Sequence, residues 1–319
     1  MLDLDKPQII NLFEFDTTVQ RILNAYIASA QGNVQTGDVV HLAFSDENGD
    51  CHVKSGYIKN TASYVIKIAS GFYDNPAKGL PSSNGMMLAF SATTGETLAI
   101  LRDEGWLTDM RTAIGGALAT RALARADATE VLLIGAGIQA RLQAICLAQL
   151  MPDRAFSFHI WARNASAAQT LATDLNADNY NAVAGSNLGT AIGAADIIIT
   201  TTTATEPLFA DGLVRKGTHV TAIGADCPGK QELPTELVAA ASLRVCDMAS
   251  QSLNHGEFQT AHRSDASLQV TELGHILSGA QPGRTSDDDI TVVDLTGIAA
   301  QDIAITQAII DATANTNAQ

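Results

Sequence analysis

Apolar residues recur along this chain with two periods, and the pattern changes character near residue 130. In residues 17–30, Val19, Ile22, Leu23, Tyr26 and Ile27 fall on one helical face. The period then drops to two. Residues 39–44 and 51–58 flank Asp46-Glu47-Asn48-Gly49-Asp50, whose turn chemistry predicts a hairpin. Residues 64–69 predict a further strand. Residues 86–92 and 96–103 flank Thr93-Thr94-Gly95 and predict a second hairpin. The run from Gly71 to Pro76, with Gly79, Pro81, Ser82, Ser83, Asn84 and Gly85, reads as a loop. Thr108 is the expected N-cap of a helix over residues 109–125. That places Arg111 and Thr112 in its first turn, where an anion meets unpaired backbone N–H groups and the arginine.

From residue 130 strands and helices alternate. Strands are expected at 131–134, 156–161, 180–184, 196–203, 218–223, 243–247 and 290–295. Helices are expected at 139–150, 165–176, just before 195, and at 234–241. Such alternation predicts an α/β fold, a Rossmann-type doubly wound parallel sheet, following an α+β substrate and dimerisation domain. A last helix, 299–314, is expected to return to the first domain. The predicted division is 1–122 with 298–319, and 123–297 for the Rossmann domain. There is no internal repeat, and only the tail 314–319 is of low complexity.

Composition narrows the function. Hydrophobic residues make up 46% of the 319 and charged residues 17%, which excludes a disordered chain. Lys and Arg number 19 against 34 Asp and Glu, a formal charge of −15. Phosphate-rich partners are repelled by such a surface, so neither nucleic acid nor an anionic membrane is expected. A small anionic substrate is still admissible, because a few local cations can dominate a pocket. Cys51, Cys146, Cys227 and Cys246 form no C-x-x-C pair and lie near no His cluster, so no metal site is expected. Isolated thiols, an acidic Met1-Leu2-Asp3-Leu4-Asp5 start and no membrane-length apolar run give the expectation of a cytoplasmic protein.

The sharpest motif is Gly135-Ala136-Gly137-Ile138-Gln139-Ala140, a G-x-G-x-x-A run between a strand and a helix. The first glycine permits the turn, the second admits a pyrophosphate, and the small sixth residue lets helix and strand pack. At the end of the next strand stand Trp161-Ala162-Arg163-Asn164, with no acid for the ribose hydroxyls. Arg163 suits a 2′-phosphate or stacking on adenine, and Asn164 suits ribose hydroxyls; alone, this leans toward NADP. Thr200 to Thr203 end another strand, where hydroxyls can face a ribose. Asp226 follows a third, held by the Pro228-Gly229 turn. Lys67 interrupts the apolar run Tyr64-Val65-Ile66-Lys67-Ile68-Ala69. It is either an outward-facing edge residue or a buried lysine, and burial would lower its pKa and suit it to proton transfer.

Four separated blocks together resemble the ornithine cyclodeaminase/μ-crystallin family over nearly the whole chain. They are Lys67-Ile68-Ala69-Ser70-Gly71-Phe72 with Asn75-Pro76; Asp109-Met110-Arg111-Thr112-Ala113; the glycine motif; and Gly224-Ala225-Asp226 with Pro228-Gly229-Lys230-Glu232-Leu233. The resemblance implies a homodimer, a substrate carboxylate held by Lys67 and Arg111, and Asp226 at the reacting nitrogen. Lys67 and Asp226 are the implied catalytic residues. Cofactor contacts are expected from Ser83, Arg111, Thr112, Gly135, Gly137, Ile138, Gln139, Arg163, Asn164, Thr201, Ile223, Lys230 and Leu295. The family includes cyclodeaminating lyases, imine reductases, amino-acid dehydrogenases and non-catalytic μ-crystallins. Cyclodeaminases carry an arginine and an acid in the first hairpin, and that arginine is not found here. Instead His52 and Lys54 share one strand face. If that face lines the pocket, it opposes ornithine's ammonium and suits a second carboxylate; otherwise both are exposed hairpin residues. The segment from His52 to Phe72 is also similar to iminosuccinate reductases of the β-hydroxyaspartate pathway. That implies NADH and a dicarboxylate imine, and places NAD ahead of NADP.

Overall fold

The computed structural model describes residues 1–316, so the end of the polar tail lies outside the described residues. The chain forms two compact units. One holds residues 1–111 and 298–319, the other 112–297. The first junction lies between Arg111 and Thr112, inside a helix, where the sequence pattern put it after residue 122.

The first unit is built on a seven-stranded sheet: β1 (Leu2–Asp5), β2 (Val34–Thr36), β3 (Val40–Phe44), β4 (Gly49–Ile58), β5 (Ser63–Phe72), β6 (Ser83–Ser91) and β7 (Thr97–Arg102). Its order is β1-β7-β6-β5-β4-β2, with β3 also on β4. All pairs are antiparallel except β1 with β7. Both expected hairpins form. The strands around the expected loop run further than predicted: Gly71 pairs with Ser83, Ser70 with Asn84, and Phe72 with Gly49 of β4. Helix α1 (Lys6–Leu12) starts in a capping box between Asp5 and Gln8. Helix α2 (Phe15–Ala30) buries Val19, Ile22, Ala25 and Tyr26, as its period requires. The last helix, α11 (Ala299–Thr316), belongs to this unit and packs on α2, β4 and β5.

Helix α3 (Trp106–Leu123) begins earlier than Thr108 predicts. Asp103 Oδ2 accepts from the Leu107 amide at 2.8 Å and holds the start of the helix. Arg111 and Thr112 therefore lie past the first turn, and their amides belong to the helix ladder. An anion at Arg111 meets its guanidinium, not a helix terminus.

The second unit is an eight-stranded, wholly parallel sheet. Its strands are β8 (Glu130–Ile134), β9 (Ser157–Trp161), β10 (Asn181–Ala184), β11 (Ile197–Thr200), β12 (His219–Ala222), β13 (Leu243–Cys246), β14 (Thr271–Glu272) and β15 (Thr291–Asp294). The order β10-β9-β8-β11-β12-β15-β13-β14 reverses direction between β8 and β11. The connecting helices are α4 (Ile138–Leu150), α5 (Ala165–Ala177), α6 (Leu188–Ala194), α7 (Thr235–Ala240), α8 (Ala249–His255), α9 (Gln259–Ser264) and α10 (Leu273–Leu277). Leu132, Ile198, Val220 and Val292 on neighbouring strands pack with Leu233, Leu237 and Phe258. Strands covered on both faces read as unbroken apolar runs, which is why these stood out in the sequence. None of the described helices is long and apolar enough to cross a membrane.

Asp196 fixes the two central strands at their starts. Its carboxylate accepts from the amides of Thr129 and Glu130 at 3.0 and 3.1 Å, from Arg125 at 2.7 Å, and from Arg215. Burial pushes this carboxyl up, but the two amides and Arg125 outweigh it and hold it below its ordinary value of 3.8. A depressed carboxyl stabilises the fold above its unfolded pKa, and that contribution is lost as pH falls through the folded one. Asp196→Asn should cost about 2–4 kcal/mol at pH 7. In denaturant titrations its deficit against the parent should shrink below about pH 4; a deficit independent of pH would refute the charge assignment.

Candidate functional site

Lys67 sits in the middle of β5 and is 2% exposed, which settles its orientation inward. Its Nζ lies 3.1 and 2.9 Å from the two carboxylate oxygens of Asp302, in the first turn of α11. Arg111, 6% exposed, brings its Nε to 3.2 Å from Asp302 Oδ1. A guanidinium nitrogen of Arg111 donates to Gln301 Oε1 at 3.3 Å, and Gln301 Nε2 returns a bond to the Arg111 carbonyl at 3.0 Å. Lys54 is directly opposite Lys67 in the β4–β5 register and is also buried. Lys67 and Arg111 thus share the carboxylate of Asp302, with Lys54 across the strand pair from Lys67. Burial above all, then the charge of Arg111, lowers Lys67 to about 7, with Asp302 pulling the other way and Lys54 adding to the depression. At neutral pH this ammonium is poised to give up a proton.

Asp302 was missed in the sequence. In a run such as Ala299-Ala300-Gln301-Asp302 it reads as an acid complementing a helix N-terminus. Only the return of α11 to the β5 strand reveals its partner. His52 lies on the same face of β4 as Lys54, its side chain 14% exposed, with Nε2 at 3.8 Å from Asp50 Oδ1. Ser83, at the start of β6, donates to Asp109 Oδ2 at 3.3 Å.

In the second unit, parallel strands bring their C-terminal ends to one edge. The register pairs Trp161 with Ile134, Ile134 with Thr200, Thr200 with Ala222, and Ala222 with Asp294. The residues just after them are therefore neighbours along that edge: Gly135, Thr201, Ile223 and Leu295, with Arg163 and Asn164 after β9. Gly135 has φ +127°, and a Cβ there would stand 2.4 Å from Thr201 Oγ1, so only glycine fits. Gly137 caps α4 with no side-chain bond, and a Cβ there meets nothing within 4 Å. The first amides of α4 thus open onto clear space, with Ile138 exposed and Gln139 half-buried beside it. This cradle fits a pyrophosphate. Thr201 donates its hydroxyl to the Ile134 carbonyl at 3.3 Å, and Ile223 and Leu295 are buried. Arg163 is exposed, and Asn164 Oδ1 caps α5 by accepting from the amides of Ser166 and Ala167. Thr112 is half-buried, its carbonyl taken by Gln143 Nε2 at 3.3 Å.

A buried carboxylate, Glu232, locks this edge. It accepts from Thr200 Oγ1 at 2.7 Å, from the amide and hydroxyl of Thr202 at 2.6 and 2.8 Å, and from the Gly224 amide at 2.8 Å. It therefore ties the ends of β11 and β12 together. Burial raises its pKa against those bonds. Glu257 accepts from the amides of Glu232 and Leu233, and burial and the charge of Glu232 push it well up. The segment so anchored carries Asp226, whose Oδ1 accepts from Lys230 Nζ at 2.7 Å. Lys230 is thus engaged with Asp226 within the unit.

A dinucleotide cradle at a parallel-sheet edge, together with a buried Lys–Arg–Asp cluster in an antiparallel unit, defines a class of two-unit nucleotide-binding proteins. The chain belongs to the ornithine cyclodeaminase/mu-crystallin family, whose profile matches residues 5–317. Among its relatives is an uncharacterized cyclodeaminase of Sinorhizobium fredii, 39% identical over 289 residues, 88% of this chain and 86% of that protein. The Δ1-pyrroline-2-carboxylate reductase of Thermococcus litoralis, solved with NADH and L-proline, superposes with a TM-score of 0.92 at 25% identity, covering 99% of this chain and 98% of that one. The iminosuccinate reductase of Paracoccus denitrificans, solved with NAD+, gives 0.87 at 28% identity, covering 99% and 97%.

Replacing Gly137 with tryptophan should fill the space above α4 without disturbing the sheet. Calorimetry on the folded Gly137→Trp protein should then show no dinucleotide binding. An affinity equal to the parent's would refute the cradle.

Proposed function

We propose that the protein is an NAD(H)-dependent imine reductase that converts a small dicarboxylic imine, iminosuccinate, to L-aspartate. The observation that carries this reading is the buried pairing of Lys67 and Arg111 on the one carboxylate of Asp302, with Lys54 buried opposite Lys67, in a chain of net charge −15. Two buried cations on one carboxylate suit an anionic ligand. The NAD+ and NADH bound by the two solved relatives support the cofactor.

The nicotinamide, when bound, supplies hydride to the imine carbon. Arg111 and Lys67 hold the α-carboxylate, and Lys54 takes the second one. Lys67, lowered to about 7, gives its proton to the imine nitrogen, since a protonated C=N accepts hydride far better. The family resemblance gives Asp226 the part of orienting a reacting nitrogen. The neutral Lys67 left behind regains a proton from solvent. Ornithine would set an ammonium against Lys54, which disfavours cyclodeamination. That lyase chemistry is the second reading, favoured by the name of the Sinorhizobium relative. It would recycle its cofactor and consume no net NADH. The homodimer implied by the family resemblance is part of the same proposal. Val40, Leu42 and Phe44 form an exposed apolar row on β3, which supports it.

Two outcomes test the mechanism. Lys67→Ala should lose about 10²–10⁴-fold in turnover while binding cofactor normally. In the parent, the rate of imine reduction should fall as pH rises through about 7, because the ammonium is the proton donor. Near-normal turnover in the variant, or a rate that climbs across that range, removes Lys67 as the acid.

A substrate panel tests the specificity. Iminosuccinate should be reduced about 10–100-fold more efficiently than the imine of pyruvate, which lacks the second charge-assisted contact. Lys54→Gln should narrow that gap. Equal efficiencies, or faster reaction of a cationic imine, would overturn the dicarboxylate assignment.

A further inference from the structure

The first hairpin brings together side chains that the proposed reaction does not fully use. His41 on β3 pairs directly with His52 on β4, and their rings lie 4.6 Å apart. Asp50 is two residues before His52, so it projects from the same face of β4. Among the described residues, His41, Asp50 and His52 place one ligand atom each within 4.8 Å of one another. The hairpin register, not a short spacing, joins His41 to the other two.

We propose that His41, Asp50 and His52 form a binding site for a divalent transition-metal ion of the zinc class. Two imidazoles and one carboxylate are the donors such an ion prefers, whereas calcium and magnesium need more oxygen ligands. Zinc lies about 2.0–2.1 Å from such atoms, which sets tetrahedral ligands about 3.3 Å apart. His52 Nε2 and Asp50 Oδ1, at 3.8 Å, are already close to that separation. His41 is exposed, so rotation of its side chain can bring in the third donor. Tyr73 donates its hydroxyl to Asp50 Oδ2 at 3.0 Å, leaving Oδ1 turned toward His52. An outer hydrogen bond of this kind orients a ligating carboxylate. Asp50 also decides the sign of the ligand, since a carboxylate beside two imidazoles favours a cation over an anion. Three protein donors leave a fourth position for water or an anionic group. The site shares its sheet face with Lys54 and Lys67, so a bound ion adds positive charge to that face. The inference does not rest on the reaction proposed above.

The test uses the full, untagged chain, stripped with chelator and titrated with zinc chloride in a calorimeter. One equivalent per chain should bind. Cobalt(II) in its place should give the visible d–d bands of a tetrahedral nitrogen–oxygen site, without the near-ultraviolet band of a cobalt–thiolate bond. His41→Gln, at an exposed position, and His52→Ala should each weaken zinc binding by at least about 100-fold, and Cys51→Ser should leave it unchanged. No binding by the parent, a thiolate band, or binding indifferent to both histidine substitutions would overturn the proposal. The parent's cobalt spectrum decides the matter even if a variant fails to fold.

Discussion

Everything in the first unit turns on burying Lys67 and Arg111 against Asp302. Withdrawing such ions from water costs several kcal/mol each, and only close pairing and hydrogen bonds offset it. Asp302 reaches Lys67 from a helix 235 residues further along the chain. The interaction therefore joins the C-terminal helix to β5 and shapes how the lysine titrates. Ser63 Oγ to Gln307 Oε1 at 2.9 Å and Arg21 to Asp311 at 2.6 Å continue the polar seam along the same helix. Lys67 and Arg111 share this one carboxylate, so the packing of α11 sets the charge around both cations.

The second unit uses buried carboxylates differently. Glu232 and Glu257 spend their hydrogen bonds on backbone amides and threonine hydroxyls, so they hold strand ends and loop in place and have little left for chemistry. Asp226 lies in the segment they anchor, and its Oδ1 accepts from Lys230 Nζ. A loop anchored in this way holds its acid in a fixed position. Gly135 and Gly137 divide their work in the same way. One is forced by the close approach of Thr201, and the other keeps the end of α4 open.

Much of this was legible in the sequence, for physical reasons that differ between the two units. The parallel strands are covered on both faces, so β8, β11 and β12 appear as apolar runs, and the glycine motif falls between β8 and α4 as its turn chemistry demands. Lys67 announced itself as a charge in an apolar strand. The start of α3 was misplaced because Thr108 looks like a cap, whereas Asp103, five residues earlier, does the capping. Strands β1 and β2 and helices α8, α9 and α10 are too short to show a period. The anchoring roles of Asp302 and Glu232 and the grouping of His41, Asp50 and His52 were hidden for a single reason. Each acquires its meaning from a partner that tertiary structure or strand register supplies, and no local spacing encodes such partners.

Isotope labelling reads net hydride transfer to a dicarboxylic imine without reference to rates. With NADH deuterated at C4 on the transferred face and iminosuccinate as acceptor, mass spectrometry should find L-aspartate carrying one deuterium on its α-carbon, in step with NADH oxidation. Aspartate without deuterium, or no net NADH oxidation while ornithine is cyclised, would contradict the account.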